Sequence, residues 1–245
     1  MIPKTVHYIW FGGKPFPEKV KKCIDSWKVY LPEYEFKLWN EDSFDVNSVT
    51  FTKEAYANKK WAFVSDYVRV FALYNYGGWY LDTDIEILRP LSRFEDHRIV
   101  LGTDHDGALT ALMGSEKGHP YWKEIIDFYN GIQFVNQDGS FNMTVNNTHL
   151  QGILEKYGYV FENKYQELRE GIVVYPDDYF HVANVEKGTI HKTENSYAIH
   201  WHTLLWTSDM SRFNRFLRLH ILKPILGEDH FMDFYQRITK PFKKK

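Results

Sequence analysis

Four charged residues stand out by type and spacing. Ser65-Asp66-x-x-Arg69 lies in an otherwise apolar stretch, and Gly77-Gly78-x-Tyr80-Leu81-Asp82-Thr83-Asp84 follows it closely. If Trp79-Tyr80-Leu81 runs as a strand into Asp82-Thr83-Asp84, positions two apart point the same way, with Cα atoms roughly 6.6 Å apart. Asp82 and Asp84 then present two carboxylates to one spot at a strand's end, where open α/β sheets bind ligands. Such a pair repels unless a cation lies between its members or one of them takes a proton. Oxygen ligands suit Mg²⁺ or Mn²⁺, which combine one or two carboxylates with substrate phosphates. The same Asp-x-Asp also fits a solvated turn. Asp66 and Arg69, three apart on one helical face, must pair with each other or reach a ligand, because an unpaired buried charge is costly.

The surrounding pattern supplies elements to hold these groups. Val6 to Phe11 reads as a strand ended by Gly12-Gly13. From Glu18, Val20, Cys23, Ile24, Trp27 and Leu31 recur at helical spacing until Pro32. Tyr34 to Trp39 alternates as a second strand, so the opening is strand–helix–strand, the signature of a parallel crossover. Trp61 to Tyr76 is helical, with Gly77-Gly78 as its stop. Ile99 to Gly102 is a short strand, Pro120 to Tyr129 a helix opened by its proline, and the polar region 131–150 a loop. Ile172 to Tyr175 and Tyr197 to Trp201 are further strands, and Leu217 to Leu226 and Phe231 to Ile238 short amphipathic helices. The spacing predicts one α/β domain over 1–210, with a basic amphipathic helical segment over 211–245 in the same unit.

Composition narrows the function classes. The chain has 245 residues, 44 % apolar and 25 % charged, which is globular and excludes disorder, collagen and a polytopic membrane protein. A net charge of -2 argues against a globally basic nucleic-acid binder. No apolar run approaches the roughly 18 residues of a membrane span, and the first residues carry no signal-peptide pattern. The single Cys23 excludes an internal disulfide and multi-Cys metal sites and fits a reducing compartment. Aromatic residues reach 18 %, a content that serves either core packing or stacking on sugars and bases. Residues 212–245 carry nine Lys/Arg against three Asp/Glu, with Arg212, Arg215, Arg218 and Lys223 interleaved with Phe213, Phe216, Leu217 and Ile221. That pattern fits a peripheral contact with an anionic membrane, or a packed helix with a solvated end.

The strings His7-x-x-Trp10-x-Gly12-Gly13, Ser65-Asp66-x-x-Arg69 and Gly77-Gly78-x-Tyr80-Leu81-Asp82-x-Asp84, in this order, resemble glycosyltransferase family 32. These are sugar transferases with a DXD motif, found in bacterial polysaccharide loci and among fungal mannosyltransferases. The catalytic domains of clostridial glucosylating toxins are more distantly similar. Cys23-Ile24-x-Ser26-Trp27, Met113-x-Ser115-x-x-Gly118-His119-Pro120 and Ala198-Ile199-His200 extend the likeness, most of all to small bacterial capsule-type members, over about residues 2–206. The resemblance implies a GT-A fold, a Rossmann-like mixed sheet flanked by helices, with a helical C-terminal appendage. It also implies a nucleotide-sugar donor and retention of anomeric configuration. By position, Trp10 matches the aromatic that stacks on the base, with Gly12 beside it in the donor loop. Asp66, Arg69 and Tyr80 match residues around the ribose and donor sugar. Asp82 matches the first DXD carboxylate and Asp84 the second, on the metal. Trp206 matches a tryptophan near the leaving phosphate. Many members read His-His-Trp-x-x-Ser-Trp where this chain reads His200-Trp201-His202-Thr203-Leu204-Leu205-Trp206, so the metal-binding histidine is His200 or, alternatively, His202. Strand alternation points both the same way.

The expectation is therefore a metal-dependent retaining glycosyltransferase, using Mn²⁺ or Mg²⁺, with Asp82 and Asp84 as its catalytic carboxylates. It moves a hexose from a nucleotide-sugar, a UDP-hexose, to a glycan or lipid-linked oligosaccharide in surface polysaccharide synthesis. No carboxylate under the anomeric carbon is identifiable, which favours a same-face mechanism. Asn146 and Asn147 are sugar contacts or ordinary turn residues. The expected location is cytoplasmic, either free or, if the basic segment contacts lipid, peripheral on the inner face of the cell membrane. Two other classes stay open: a glycoside hydrolase using Asp82 and Asp84 as its carboxylate pair, and a non-catalytic sugar-binding or membrane-recruited protein.

Overall fold

The strand–helix–strand opening forms where the apolar spacing predicts it, and a computed structural model describes residues 1–104, 107–144, 146–184 and 189–203. In chain order the elements are β1 (Thr5–Ile9), α1 (Glu18–Tyr30), β2 (Glu35–Trp39), α2 (Thr50–Ala57), α3 (Trp61–Tyr76), β3 (Gly78–Leu81), β4 (Ile85–Ile87), β5 (Ile99–Asp104), β6 (Gly107–Ser115), α4 (Pro120–Asn130), α5 (Asn146–Glu155), β7 (Gln166–Glu167), β8 (Ile172–Tyr175), α6 (Asp177–Phe180), β9 (Ala183–Asn184), β10 (Thr189–Ile190) and β11 (Ala198–His200). The chain divides into two units. One comprises Met1–Val182 and His191–Trp201; the other comprises Ala183–Ile190 and His202–Lys245, in which β9 pairs antiparallel with β10. Trp206 and the expected helices from Leu217 onward lie outside the described residues. Among the described residues, no helix is long and apolar enough to cross a membrane.

Seven strands of the first unit form one sheet in the order β2-β1-β3-β6-β5-β8-β7. β2, β1, β3, β5 and β8 run parallel; β6 and β7 run against them. This is the mixed sheet flanked by helices that the resemblance implied. Alternation along each strand divides the core between the two faces. Val6, Trp79, Leu81, Val100 and Val173 pack with Trp27 of α1, whereas Ile9, Tyr80, Ile99, Leu101 and Val174 pack with α3, α4 and α5. The aromatic content is largely core: Trp27, Trp39, Trp79 and Trp122 are fully buried.

Three expectations are corrected. Asp82-Thr83-Asp84 is not strand: β3 ends at Leu81, and the Ile85 amide donates to the Asp82 carbonyl (2.9 Å), closing a turn before β4. The strand β6 was not foreseen, because Ala, Leu, Met and Gly dominate it and its neighbours on the sheet, not intrinsic propensity, hold it extended. The region 131–150 is not wholly loop, since α5 begins at Asn146 and buries Leu150 and Leu154.

The parallel strands leave their carboxyl ends on one edge, and a buried histidine sets how β3 enters. Gly77 caps α3 at φ 68°, and Gly78 approaches β1 so closely that a Cβ there would meet the Thr5 carbonyl oxygen at 2.5 Å. His7, fully buried, donates from Nε2 to the Gly77 carbonyl (2.8 Å) and accepts at Nδ1 from the Trp39 indole (3.2 Å). An indole N–H only donates, so the imidazole is the neutral Nε2–H tautomer. Burial pushes its pKa down to about 4, against the opposing Gly77 hydrogen bond. His7→Ala strands two buried polar groups and is expected to cost about 1–3 kcal/mol in urea denaturation. For the wild type, the unfolded chain takes up this proton near pH 6.5 and the folded one only near 4, so His7's contribution to stability is lost as pH falls across that window.

Candidate functional site

The site grows out of α3 and the turn after β3. Arg69 lies on the α3 face turned to the sheet, with only 9 % of its side chain exposed. Its Nη2 meets Asp66 Oδ1 at 3.1 Å, and its Nη1 meets Asp82 Oδ1 at 3.6 Å. Nη1 also donates to the Thr110 carbonyl on β6 (3.0 Å), Nε donates to the Ser65 carbonyl (3.3 Å), and the guanidinium lies 4.8 Å from the Tyr80 ring centroid. Burial alone would lower the Arg69 pKa, but Tyr80, Asp82 and Asp66 outweigh it and raise it. Tyr80, also buried, donates its hydroxyl to Asp82 Oδ1 at 2.5 Å. Burial, with the neighbouring Asp82 charge, raises the phenol's pKa well above its ordinary value, so it stays a donor. Asp82 is thus oriented by two side chains and stays more open than Asp66.

Asp84 comes one turn residue later, and β11 brings the third group. His200 pairs in register with Ile85, and its Nε2 lies 3.4 Å from Asp84 Oδ1. Asp82, Asp84 and His200 each offer one ligand atom, all within 4.8 Å of one another. Ligand atoms on an octahedral cation at about 2.1 Å lie about 3.0 Å apart when adjacent and about 4.2 Å when opposite, so the set could hold one divalent ion after a small contraction. The two carboxylates converge as the sequence spacing predicted, but through a turn and a neighbouring strand and not through strand alternation. Alternation does not reach His202 either: β11 ends at His200, and His202 has φ 46° and belongs to the other unit. Burial would lower the His200 pKa, but the hydrogen bond and charge of Asp84, with Asp82 and Asp104, raise it.

At the end of β1, on the strand beside β3, Trp10 is half-buried. Its indole donates to the Lys14 carbonyl (2.6 Å), and its ring meets Phe16 edge-on at 5.0 Å. Gly12, at φ 90°, donates its amide to Glu41 Oε1 (2.7 Å), which also accepts from Tyr56 (3.0 Å). A Cβ on Gly12 would meet the Trp61 indole at 2.9 Å. Asn146 and Asn147 open α5, and their side chains lie outside what is described. The Thr110 carbonyl was invisible to sequence reasoning, since any residue carries one and β6 itself was missed.

A carboxyl-edge site on a mixed α/β sheet, with two carboxylates and an imidazole around one point, is suited to a divalent cation and an anionic ligand. Residues 17–101 match the family described as the glycosyltransferase sugar-binding region containing the DXD motif, and Asp82-Thr83-Asp84 lies within the matched segment. The chain is 33 % identical over 134 residues to inositol phosphoceramide mannosyltransferase 3 of Schizosaccharomyces pombe, covering 51 % of this chain and 36 % of that protein. It is 31 % identical over 139 residues to mannosyl phosphorylinositol ceramide synthase CSH1 of Saccharomyces cerevisiae, covering 51 % and 35 %. The chain thus spans about a third of the length of these relatives. Among solved structures it is similar to the PaToxG glycosyltransferase (TM-score 0.48, 19 % identity, 63 % of this chain and 68 % of that one). It is also similar to the galactosyltransferase LgtC (TM-score 0.43, 10 % identity, 86 % and 92 %).

A cation ligand must be a neutral imidazole, and His200 holds its proton more tightly than the ordinary 6.5. Divalent-cation affinity, measured by calorimetry from about pH 5 to about pH 9, should therefore fall as pH drops through a value above that of a free imidazole. His200→Ala should weaken binding and erase that step. Without cation the sign reverses: the protonated His200–Asp84 pair stabilises the fold at low pH, and this is lost as pH rises through the raised value.

Proposed function

We propose that this chain is a metal-dependent glycosyltransferase that moves a hexose from a nucleotide-sugar to a glycan or lipid-linked acceptor with retention. The observation that carries the reading is the convergence of Asp82, Asp84 and His200 on one point, inside a DXD sugar-binding region. The preferred ion is Mn²⁺, because an imidazole beside two carboxylates suits a transition ion better than Mg²⁺. When bound, such an ion neutralises the donor's diphosphate as the anomeric bond breaks, the largest charge to be stabilised in the reaction. The chain's own residues do the rest. Asp84 and His200 hold the ion, while Arg69 and Tyr80 keep Asp82 turned towards it. The half-buried Trp10 ring, on a loop tied down by Glu41, offers a face to the base.

No side chain is assigned as a nucleophile, so the leaving phosphate itself is the base that receives the acceptor's proton. The two fungal relatives are named for mannosyl transfer to a lipid, which makes GDP-mannose a donor to test beside the UDP-hexoses. The glycosidase alternative is disfavoured, because carboxylates from one turn converge on a single point and do not flank a scissile bond.

A thermal-shift and calorimetric panel of UDP-hexoses and GDP-mannose, with and without Mn²⁺, tests the proposal; metal-dependent binding of at least one donor is the expected result. Asp84→Asn should nearly abolish the metal-dependent part while leaving the melting temperature close to wild type. Wild-type transfer by Asp84→Asn without added metal would overturn the assignment. Trp10→Ala should weaken binding of the free nucleoside diphosphate about ten- to a hundred-fold, by loss of a base–aromatic stack of about 1–3 kcal/mol. Unchanged affinity would return Trp10 to a packing role.

A further inference from the structure

β4 carries the chain directly out of the Asp82–Asp84 turn, yet it is not part of the large sheet. Among the described residues it is a three-residue strand whose one ladder is with the equally short β11, pairing Ile85 with His200, Glu86 with Ile199 and Ile87 with Ala198. A ladder of three pairs specifies register weakly through its backbone. A slip of one residue would turn every side chain of β11 to the opposite face and carry His200 away from Asp84. Something beyond the ladder must fix it.

The residue after His200 makes that connection. Trp201 donates its backbone N–H to the Asp84 carbonyl (3.1 Å) and its indole N–H to Glu86 Oε2 (2.8 Å). One residue thus grips β4 at Asp84 and again two positions on. The Lys19 ammonium of α1 sits 3.0 Å from the Trp201 ring centroid and covers its face. From the other side, α1 holds the same strand: Trp27 Nε1 donates to the Ile85 carbonyl (2.7 Å), and Ser26 Oγ accepts from the Ile87 amide (2.9 Å).

We propose that Trp201 is a positioning residue of the cation site, setting the β4–β11 register through its indole–Glu86 hydrogen bond so that His200 faces Asp84. This rests on the reading of Asp82, Asp84 and His200 as cation ligands. Trp201 and Glu86 touch neither cation nor sugar; they act through the two ligands beside them. Groups behind a metal's direct ligands typically contribute ten- to a hundred-fold in affinity.

The test uses the full chain and Mn²⁺ alone, with free ion counted by electron paramagnetic resonance. Trp201→Phe keeps an aromatic ring but deletes the donor together with part of the indole's area; it should weaken Mn²⁺ binding about ten-fold and broaden the signal of the bound ion. Glu86→Leu, which deletes the acceptor, should do the same, and the double variant should be no worse than either single one. Glu86→Gln, which keeps an acceptor oxygen, should bind like wild type. If wild type binds Mn²⁺ and both Trp201→Phe and Glu86→Leu bind it equally well with an unchanged signal, the positioning role is wrong and the cation site stands. If wild type binds no Mn²⁺, the cation site falls and this inference falls with it. Should Trp201→Phe fail to fold, Glu86→Leu against Glu86→Gln decides alone, because equal Mn²⁺ affinity in that pair overturns the role.

Discussion

Arg69 brings a permanent positive charge onto the sheet-facing side of a helix, where little of it meets water, and a guanidinium cannot shed its proton to escape. Its neighbours must therefore supply negative charge and carbonyl oxygens, and each comes from a different place: Asp66 from its own helix, Asp82 from the turn after β3, the Thr110 carbonyl from β6. Three elements are fixed relative to one another by satisfying one cation. Asp82 is thus part of the fold as well as the site. Tyr80, one face of its strand away from Trp79 and Leu81, reaches the same oxygen because strand alternation turns it towards α3.

At the carboxyl edge, the loop after β1 is fastened by a side chain from a neighbouring element. Glu41, after β2, holds the Gly12 amide of the loop after β1. Burial would favour protonation of its carboxyl, but the Gly12 amide, its own amide and Tyr56 outweigh that and lower the pKa. His7 fastens the entry to β3 from below. Loops anchored in this way can present polar groups to a ligand without the entropy cost of ordering them on binding.

Much of this was legible from residue types. Alternation and helical spacing exposed β1, α1, β2 and α3, because each buries one face and shows the other to water. Two charges in an apolar helix had to pair or reach a ligand, and Asp66 and Arg69 pair. What stayed hidden depended on distant parts of the chain. β6 reads as a weak strand former until β3 and β5 enclose it, and α5 opens on asparagines that resemble a turn. The Asp-x-Asp carboxylates converge through the turn after β3, and His200 joins them through the β4–β11 pair, whose two strands are too short to show any period. Trp201 sat in view between two histidines, and only the fold reveals that its indole is bound to Glu86.

The separation of those partners also sets a clock on synthesis. Glu86 and Trp201 are 115 residues apart, so a ribosome adding about 5–20 residues per second completes the second about 6–23 s after the first. In that interval β1, α1, β2 and β3 are available to assemble, and Trp27 and Ser26 of α1 can hold β4 before any partner strand exists. The imidazole arrives only with β11. A chain that stops before β11 would carry both carboxylates yet lack the imidazole, so the three-residue cluster is complete only once residue 200 has been made.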